Sequence, residues 1–244
     1  MSAVPRPELL LDPEEVLRRY TVPDRDRWHL RANMIASLDG AATAGGLTGA
    51  LNNPDDKLVL DTLRMLTDVL LVGAGTVREE GYGPMRLAPQ EAAWRQQHGL
   101  PPHPVLALVS GRLDLDPEAR VLTQAPVRPL LLTHAAAPRR VRERLARVAD
   151  VVDCGRARVE PALVRTELEA RGLRQVLCEG GPRLLGTLLE ADLLDELCLT
   201  LSPALVGGQA PRIARGTHEV LRGMRRVHVL SAGDMLLLRY RRER

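Results

Sequence analysis

Phenylalanine is absent from this 244-residue chain, which also has only two tryptophans and three tyrosines. Grooves for single-stranded nucleic acids interleave basic side chains with aromatic stacking platforms. The arginine clusters at 139–144 and 239–244 therefore read as solvated helix and tail faces. Lysine occurs once, at Lys57, so the net charge of +3 rests on arginine. Cysteine is also scarce: Cys154, Cys178 and Cys198 are an odd set without paired spacing, each in or beside an apolar run. They read as buried thiols, which argues against a disulfide framework and against a zinc site. No run of 18 or more apolar residues exists, and the opening Met-Ser-Ala-Val-Pro-Arg-Pro has no apolar segment of a signal peptide. A cytoplasmic protein that uses no metal and contacts neither membrane nor nucleic acid is the expectation.

What is present is an α/β pattern. Residues 1–27 carry four prolines around one short amphipathic piece and read as an N-terminal arm; 28–244 read as a single domain. Alternation from Trp28 to Ala36 predicts a first strand ending in Ser37-Leu-Asp-Gly40, followed by a glycine-rich loop at 43–49. Asn53-Pro54-Asp55-Asp56 predicts a helix start: a cap, a proline at the first position and two acids in the first turn. The nearly all-apolar Asp68–Gly73 reads as a strand buried on both faces of a parallel sheet. It runs into Gly73-Ala-Gly75-Thr76, a strand–glycine–helix turn. Residues 85–103 read as a surface insertion with one short helix. Further strands at 105–109, 129–133 and 151–153 alternate with helices at 139–148 and 161–171.

The stretch 174–186 organises the rest. An apolar strand (Val176, Leu177, Cys178) meets Glu179, then Gly180 and Gly181, then Pro182 at the first position of a leucine-striped helix. Such a turn leaves backbone N–H groups unpaired at the positive end of a helix dipole, a place to hold a phosphate. An ordinary connection that uses glycine for geometry alone is the competing account. After it come an alternating strand at 195–203, a loop with Gly207-Gly208, and a hairpin at 225–240, so the sheet ends antiparallel and is mixed.

Together these segments resemble the pyrimidine reductase domain of riboflavin biosynthesis, the C-terminal domain family of the bifunctional deaminase-reductases. The matching pieces are Asn33–Gly40, Leu63-Arg64, Asp68–Arg78, Val109-Ser110, Glu179–Gly186, and Asp195–Pro203 with Gly207-Gly208, in the family's order. The resemblance implies a dihydrofolate reductase-like fold: a mixed, mostly parallel sheet flanked by helices, with an antiparallel C-terminal hairpin. It implies an NADPH-dependent oxidoreductase, a homodimer, acting on a small heterocycle of the 5-amino-6-(5-phosphoribosylamino)uracil type. Hydride would pass from the nicotinamide C4 to the sugar C1′, through the ring-opened imine.

Carried over residue by residue, the resemblance places Ala36, Gly73, Gly75, Thr76, Ser110, Gly180, Gly181, Pro182, Leu184, Leu185 and Gly186 at the cofactor. Thr48, Arg64, Arg86 and Glu179 face the substrate, and Asp39 and Glu179 are the candidate proton donors, a role that needs a raised pKa. Alternatives stand beside these. Asp39 before a glycine suits a turn residue whose carboxylate caps backbone N–H groups. Arg64 near a helix C-terminus suits the dipole. Tyr82 or Arg78 could replace Arg86, and Thr48 and Ser110 could satisfy loop backbone. Two features depart from the family: no deaminase signature precedes the domain, and Ala41 stands where a basic residue usually follows Ser-Leu-Asp-Gly. The second leaves open a paralogue acting on dihydrofolate or another pterin. A non-catalytic nucleotide-binding protein is the reading from outside enzymology.

Overall fold

The computed structural model describes residues 10–243; the start of the N-terminal arm, with Pro5 and Pro7, lies outside the described residues. In chain order the elements are α1 (Pro13–Tyr20), β1 (His29–Ser37), α2 (Pro54–Leu66), β2 (Val69–Gly73), α3 (Ala74–Glu79), α4 (Pro89–Gln97), β3 (Val105–Val109), α5 (Arg120–Thr123) and β4 (Leu130–Thr133). They continue with α6 (Arg139–Leu145), β5 (Asp150–Asp153), α7 (Pro161–Ala170), β6 (Gln175–Cys178), α8 (Pro182–Glu190), β7 (Glu196–Ser202), β8 (Met224–Ala232) and β9 (Met235–Arg242).

One sheet runs β5-β4-β3-β2-β6-β1-β7-β9-β8. Its strands from β5 to β7 are mutually parallel, and β9 and β8 join antiparallel. The α/β expectation and its antiparallel C-terminal hairpin both hold. Leu70 and Val72 of β2 face one apolar layer and Val69 and Leu71 the other, which is why this strand needs apolar residues at every position. One layer is built by α1, α2 and the shorter helices α3 to α6. The other is built by α7 and α8.

The N-terminal arm joins the first layer, where Val16 and Tyr20 are buried and the Leu10 and Leu11 N–H groups donate to Asp55 Oδ1. At the start of α2 the Asn53 side chain accepts the Asp56 N–H at 2.8 Å, the expected cap. The other end of α2 has no glycine to turn it. Its carbonyls are taken instead by arginines from afar: Arg95 of α4 donates to the Met65 and Thr67 oxygens, and Arg25 donates to that of Leu66. The 85–103 insertion is thus more than a surface addition, because Arg95 is 1% exposed and clamps α2.

At the amino ends of the strands, the fully buried Glu196 is paired with Arg31 at 2.5 Å, Arg239 at 2.8 Å and Arg241 at 3.1 Å. Burial opposes its charge, but the arginines outweigh that and hold its carboxyl well below the usual glutamate range. A small cavity lined by Val22, His29, Arg31, Thr67 and Gln175 also lies at this end, away from the glycine turns.

Candidate active site

The two glycine turns are neighbours because β2 and β6 are paired. The Gly73 N–H donates to the Gly180 oxygen at 2.8 Å, and the Gly180–Gly181 peptide is cis. A Cβ on Gly181 would overlap Thr76 Oγ1, so this glycine permits the close approach of the turns. Gly180 has φ +86° and lies against Met34 of β1, a conformation that favours glycine. Beyond it, the Gly181, Arg183 and Leu184 N–H groups at the start of α8 have no acceptor outside the helix among the described residues. Ala36 is buried two residues along β1 from Met34. Backbone donors and glycines without a Cβ therefore gather at the carboxyl ends of β1, β2 and β6, a chemistry that can hold phosphate.

On the sheet's other face Glu179, with its side chain 4% exposed, is held by two residues. Arg64 of α2 grips it through Nε at 2.6 Å and Nη2 at 2.7 Å, and the Tyr82 hydroxyl donates at 2.8 Å. Burial works against the Arg64 charge, yet Glu179 more than offsets this and raises its pKa. Burial first, and Glu179 next, push the Tyr82 hydroxyl up. Arg64 and Glu179 thus meet each other, and among the described residues Nη1 is the part of the guanidinium without a hydrogen bond.

Asp56, near the start of α2, is also buried on this face, and it accepts from the Thr200 hydroxyl of β7 at 2.5 Å. Burial raises its pKa against the lowering effect of that bond. In the sequence Asp56 reads only as a dipole-favoured acid of the first turn. Its partner is 144 residues away, so no local pattern marks it.

Several expected roles change. Asp39 is exposed and accepts from Ser37 Oγ and from the Gly207 and Val206 N–H groups at 2.7 and 3.1 Å. These bonds, the serine's first, push its carboxyl down to about 2, the opposite of what a proton donor at neutral pH needs. Asp39 is a clamp for the β7–β8 connection, which crosses from here to α8. There the Arg215 N–H reaches the Pro182 oxygen at 2.8 Å.

Gly186 is occupied by that crossing, since a Cβ on it would overlap the Arg215 carbonyl, and Leu185 is a core residue at 1% exposure. Neither offers a surface to a cofactor; Leu184 stays half-buried. Glu179 accepts from Arg64 and from Tyr82. Arg86 is exposed and turns to the Gln124 oxygen at 3.3 Å; of its two alternatives, Arg78 donates to the Asp114 oxygen and Tyr82 meets Glu179. Thr48 is tied to Glu80 through its N–H and hydroxyl, and Ser110 Oγ accepts the Leu113 N–H at 2.9 Å. Gly73, Gly75, Thr76, Gly180, Gly181 and Pro182 are brought together.

A family model described as the RibD C-terminal domain matches residues 28–238. The 2,5-diamino-6-ribosylamino-4(3H)-pyrimidinone 5′-phosphate reductase of Archaeoglobus fulgidus is 28% identical over 192 residues, which cover 78% of this chain and 87% of that relative. Among solved structures, a pyrimidine reductase-like protein from Corynebacterium diphtheriae superposes with a TM-score of 0.86 at 24% identity, over 96% of this chain and 100% of its own. Dihydrofolate reductase from Enterococcus faecalis, solved with NADP(H), is similar over 88% of this chain and 97% of its own, with a TM-score of 0.50 and 15% identity. The dihydrofolate reductase-like fold class is borne out.

Proposed function

Because this chain belongs to the family of the RibD C-terminal domain, we propose that it is an NADPH-dependent reductase of a phosphoribosylamino-pyrimidine in riboflavin biosynthesis. The observation that carries the reading is the arrangement of two half-sites at the carboxyl ends of the strands. The glycine turns with unfilled α8 N–H groups lie on one side of β6; the buried Glu179–Arg64–Tyr82 group lies on the other.

When bound, the nicotinamide supplies a hydride, here to the sugar C1′ of the substrate. The chain's own residues do the rest. The α8 N–H groups and the Gly180–Gly181 turn hold phosphate, and Thr76 packs beside them. Exposed Arg112 and half-buried His134, which flank Gly111, favour a 2′-phosphate and hence NADPH over NADH. Arg64, oriented by Glu179, offers Nη1 to the substrate's phosphate. Asp56 replaces Asp39 as the proton donor to the imine nitrogen, because burial keeps it protonated to higher pH.

A cytoplasmic homodimer accords with two further observations. No helix among the described residues is long and apolar enough to cross a membrane. Val227, Val229 and Leu236, exposed by 39 to 41%, leave an apolar face on the hairpin for a second copy.

The test is steady-state loss of NADPH absorbance with the diaminopyrimidinone phosphate, the aminouracil phosphate and dihydrofolate in turn. Turnover of either pyrimidine is expected. Turnover of dihydrofolate alone would replace the substrate, and tight NADPH binding without any turnover would point to a nucleotide-binding protein.

A further inference from the structure

Helix α1 precedes residues 28–238, the span that the family model matches, yet both of its ends are fastened close to Asp56. At one end, the Leu10 and Leu11 N–H groups donate to Asp55 Oδ1 at 2.9 and 2.8 Å. Asp55 is 2% exposed and stands beside Asp56 in the first turn of α2. At the other end, the Tyr20 oxygen accepts from Arg31 Nη2 at 2.9 Å and the Arg19 oxygen accepts from Arg239 Nη1. Both arginines pair with Glu196 of β7. Glu196, Cys198 and Thr200 alternate along β7 and so share one face, and Thr200 bonds Asp56 Oδ1. Val16 and Tyr20 of α1 are buried in the same apolar layer as Cys198. Helix α1 is thus tied to both sides of the seam between α2 and β7 in which Asp56 sits.

A carboxylic acid keeps its proton to higher pH where water is shut out. For Asp56 burial is the leading influence, working against the Thr200 bond. Charged groups on the neighbouring elements are engaged elsewhere: Lys57 with Asp61 at 2.5 Å, Glu15 with Arg19 at 3.0 Å, and Asp12 with the first N–H groups of α1. The Glu196 carboxylate is enclosed by its arginines. Resting on the reading of Asp56 as proton donor, we propose that Asp55 is a positioning residue: by holding the N-terminal helix across α2 and β7, it keeps the seat of Asp56 dry. The arm is then a working part of the site, although it touches no substrate.

The test reads Asp56 directly, by NMR titration of the aspartate carboxyl carbons in wild type, Asp55→Ala, Asp55→Asn and Val16→Ala, with Asp56→Asn to assign the signal. Asp55→Ala removes the acceptor for the arm, and the Asp56 midpoint should fall by about one pH unit or more, a tenfold loss of the protonated form above the midpoint. The falling limb of kcat/KM should move to lower pH with it. Asp55→Asn removes the same charge but keeps an oxygen for the two N–H groups, and should stay close to wild type. Val16→Ala loosens α1 without touching a charge and should lower the midpoint too. An unmoved midpoint in folded Asp55→Ala, or in Val16→Ala where the first variant does not fold, overturns the proposal. So does an equal fall in Asp55→Asn, which would mean that Asp55 acts by its charge. A falling limb of kcat/KM that survives Asp56→Asn instead overturns the reading on which the proposal rests, whatever the titration shows.

Discussion

Gly181→Ala is the perturbation on which the two-turn site can be judged in most detail. Gly181 has φ −69°, so alanine meets no left-handed backbone penalty. The new methyl carbon would instead overlap Thr76 Oγ1. That oxygen sits on a β-branched carbon in the first turn of α3 and cannot swing away as a long side chain would. Forcing a methyl into such a contact costs about 1–3 kcal/mol. If the turns separate to relieve it, the NADPH dissociation constant rises about tenfold, equivalent to about 1.4 kcal/mol.

Titration calorimetry on Gly181→Ala, Thr76→Ala and the double variant measures both effects. The account expects the double variant to bind NADPH more tightly than the summed single effects allow, with a favourable coupling of about 1 kcal/mol. An unchanged dissociation constant in folded Gly181→Ala would refute the placement of the cofactor at these turns. Additive losses would mean that the methyl fills phosphate space rather than displacing Thr76.

Arg64→Met strips Glu179 of its bidentate partner and leaves it only the Tyr82 hydroxyl. Denaturant unfolding should register a loss of about 3 kcal/mol, the low end for a broken buried pair because the Arg64 side chain is 25% exposed; a loss under about 1 kcal/mol contradicts the buried-pair account. Asp56→Asn should lower kcat/KM about 100-fold and abolish the fall in rate as pH rises through the Asp56 pKa; persistence of that limb in the variant rules Asp56 out as the acid. Arg95→Met leaves the Met65 and Thr67 carbonyls unpaired at the end of α2, at about 1–3 kcal/mol each, and a urea midpoint equal to wild type would show that the α4 clamp contributes nothing.

Acid should destabilise the fold through two groups. Burial holds His228 down at about 4, and the arginines hold Glu196 below its usual range. Both pKa values are depressed in the folded state, so their contributions are complete above the unfolded values and are lost as pH falls, His228 from about 6.5 and Glu196 from about 4.3. A melting temperature that rises from pH 7 to pH 4 would contradict this.

Elements with strong local signals were legible in the chain: the all-apolar β2, the Asn53-Pro54 start of α2, and the alternating β7 and hairpin. Gly73 and Gly180, which meet in the structure, were set together at the cofactor by the resemblance. The site side chains were harder, because their partners are remote in sequence. Asp39 in Ser-Leu-Asp-Gly looks available until the β7–β8 connection is seen on it, 168 residues away. The resemblance set Leu185 and Gly186 at the cofactor beside the glycine turn, yet helical periodicity sends the leucine into the core and the glycine under Arg215. Asp56 carries no local mark, because its raised pKa comes from burial that only the packing of α2 on β7 creates.

The central claim is a hydride delivered across β1 and β6 to the sugar of a pyrimidine substrate. Turnover of the diaminopyrimidinone phosphate with NADPH deuterated at the transferred C4 position tests it directly, with the product read by mass spectrometry and NMR. The account predicts one deuterium per product, at C1′. A reduced product without deuterium, or with the label in the heterocycle, would contradict it.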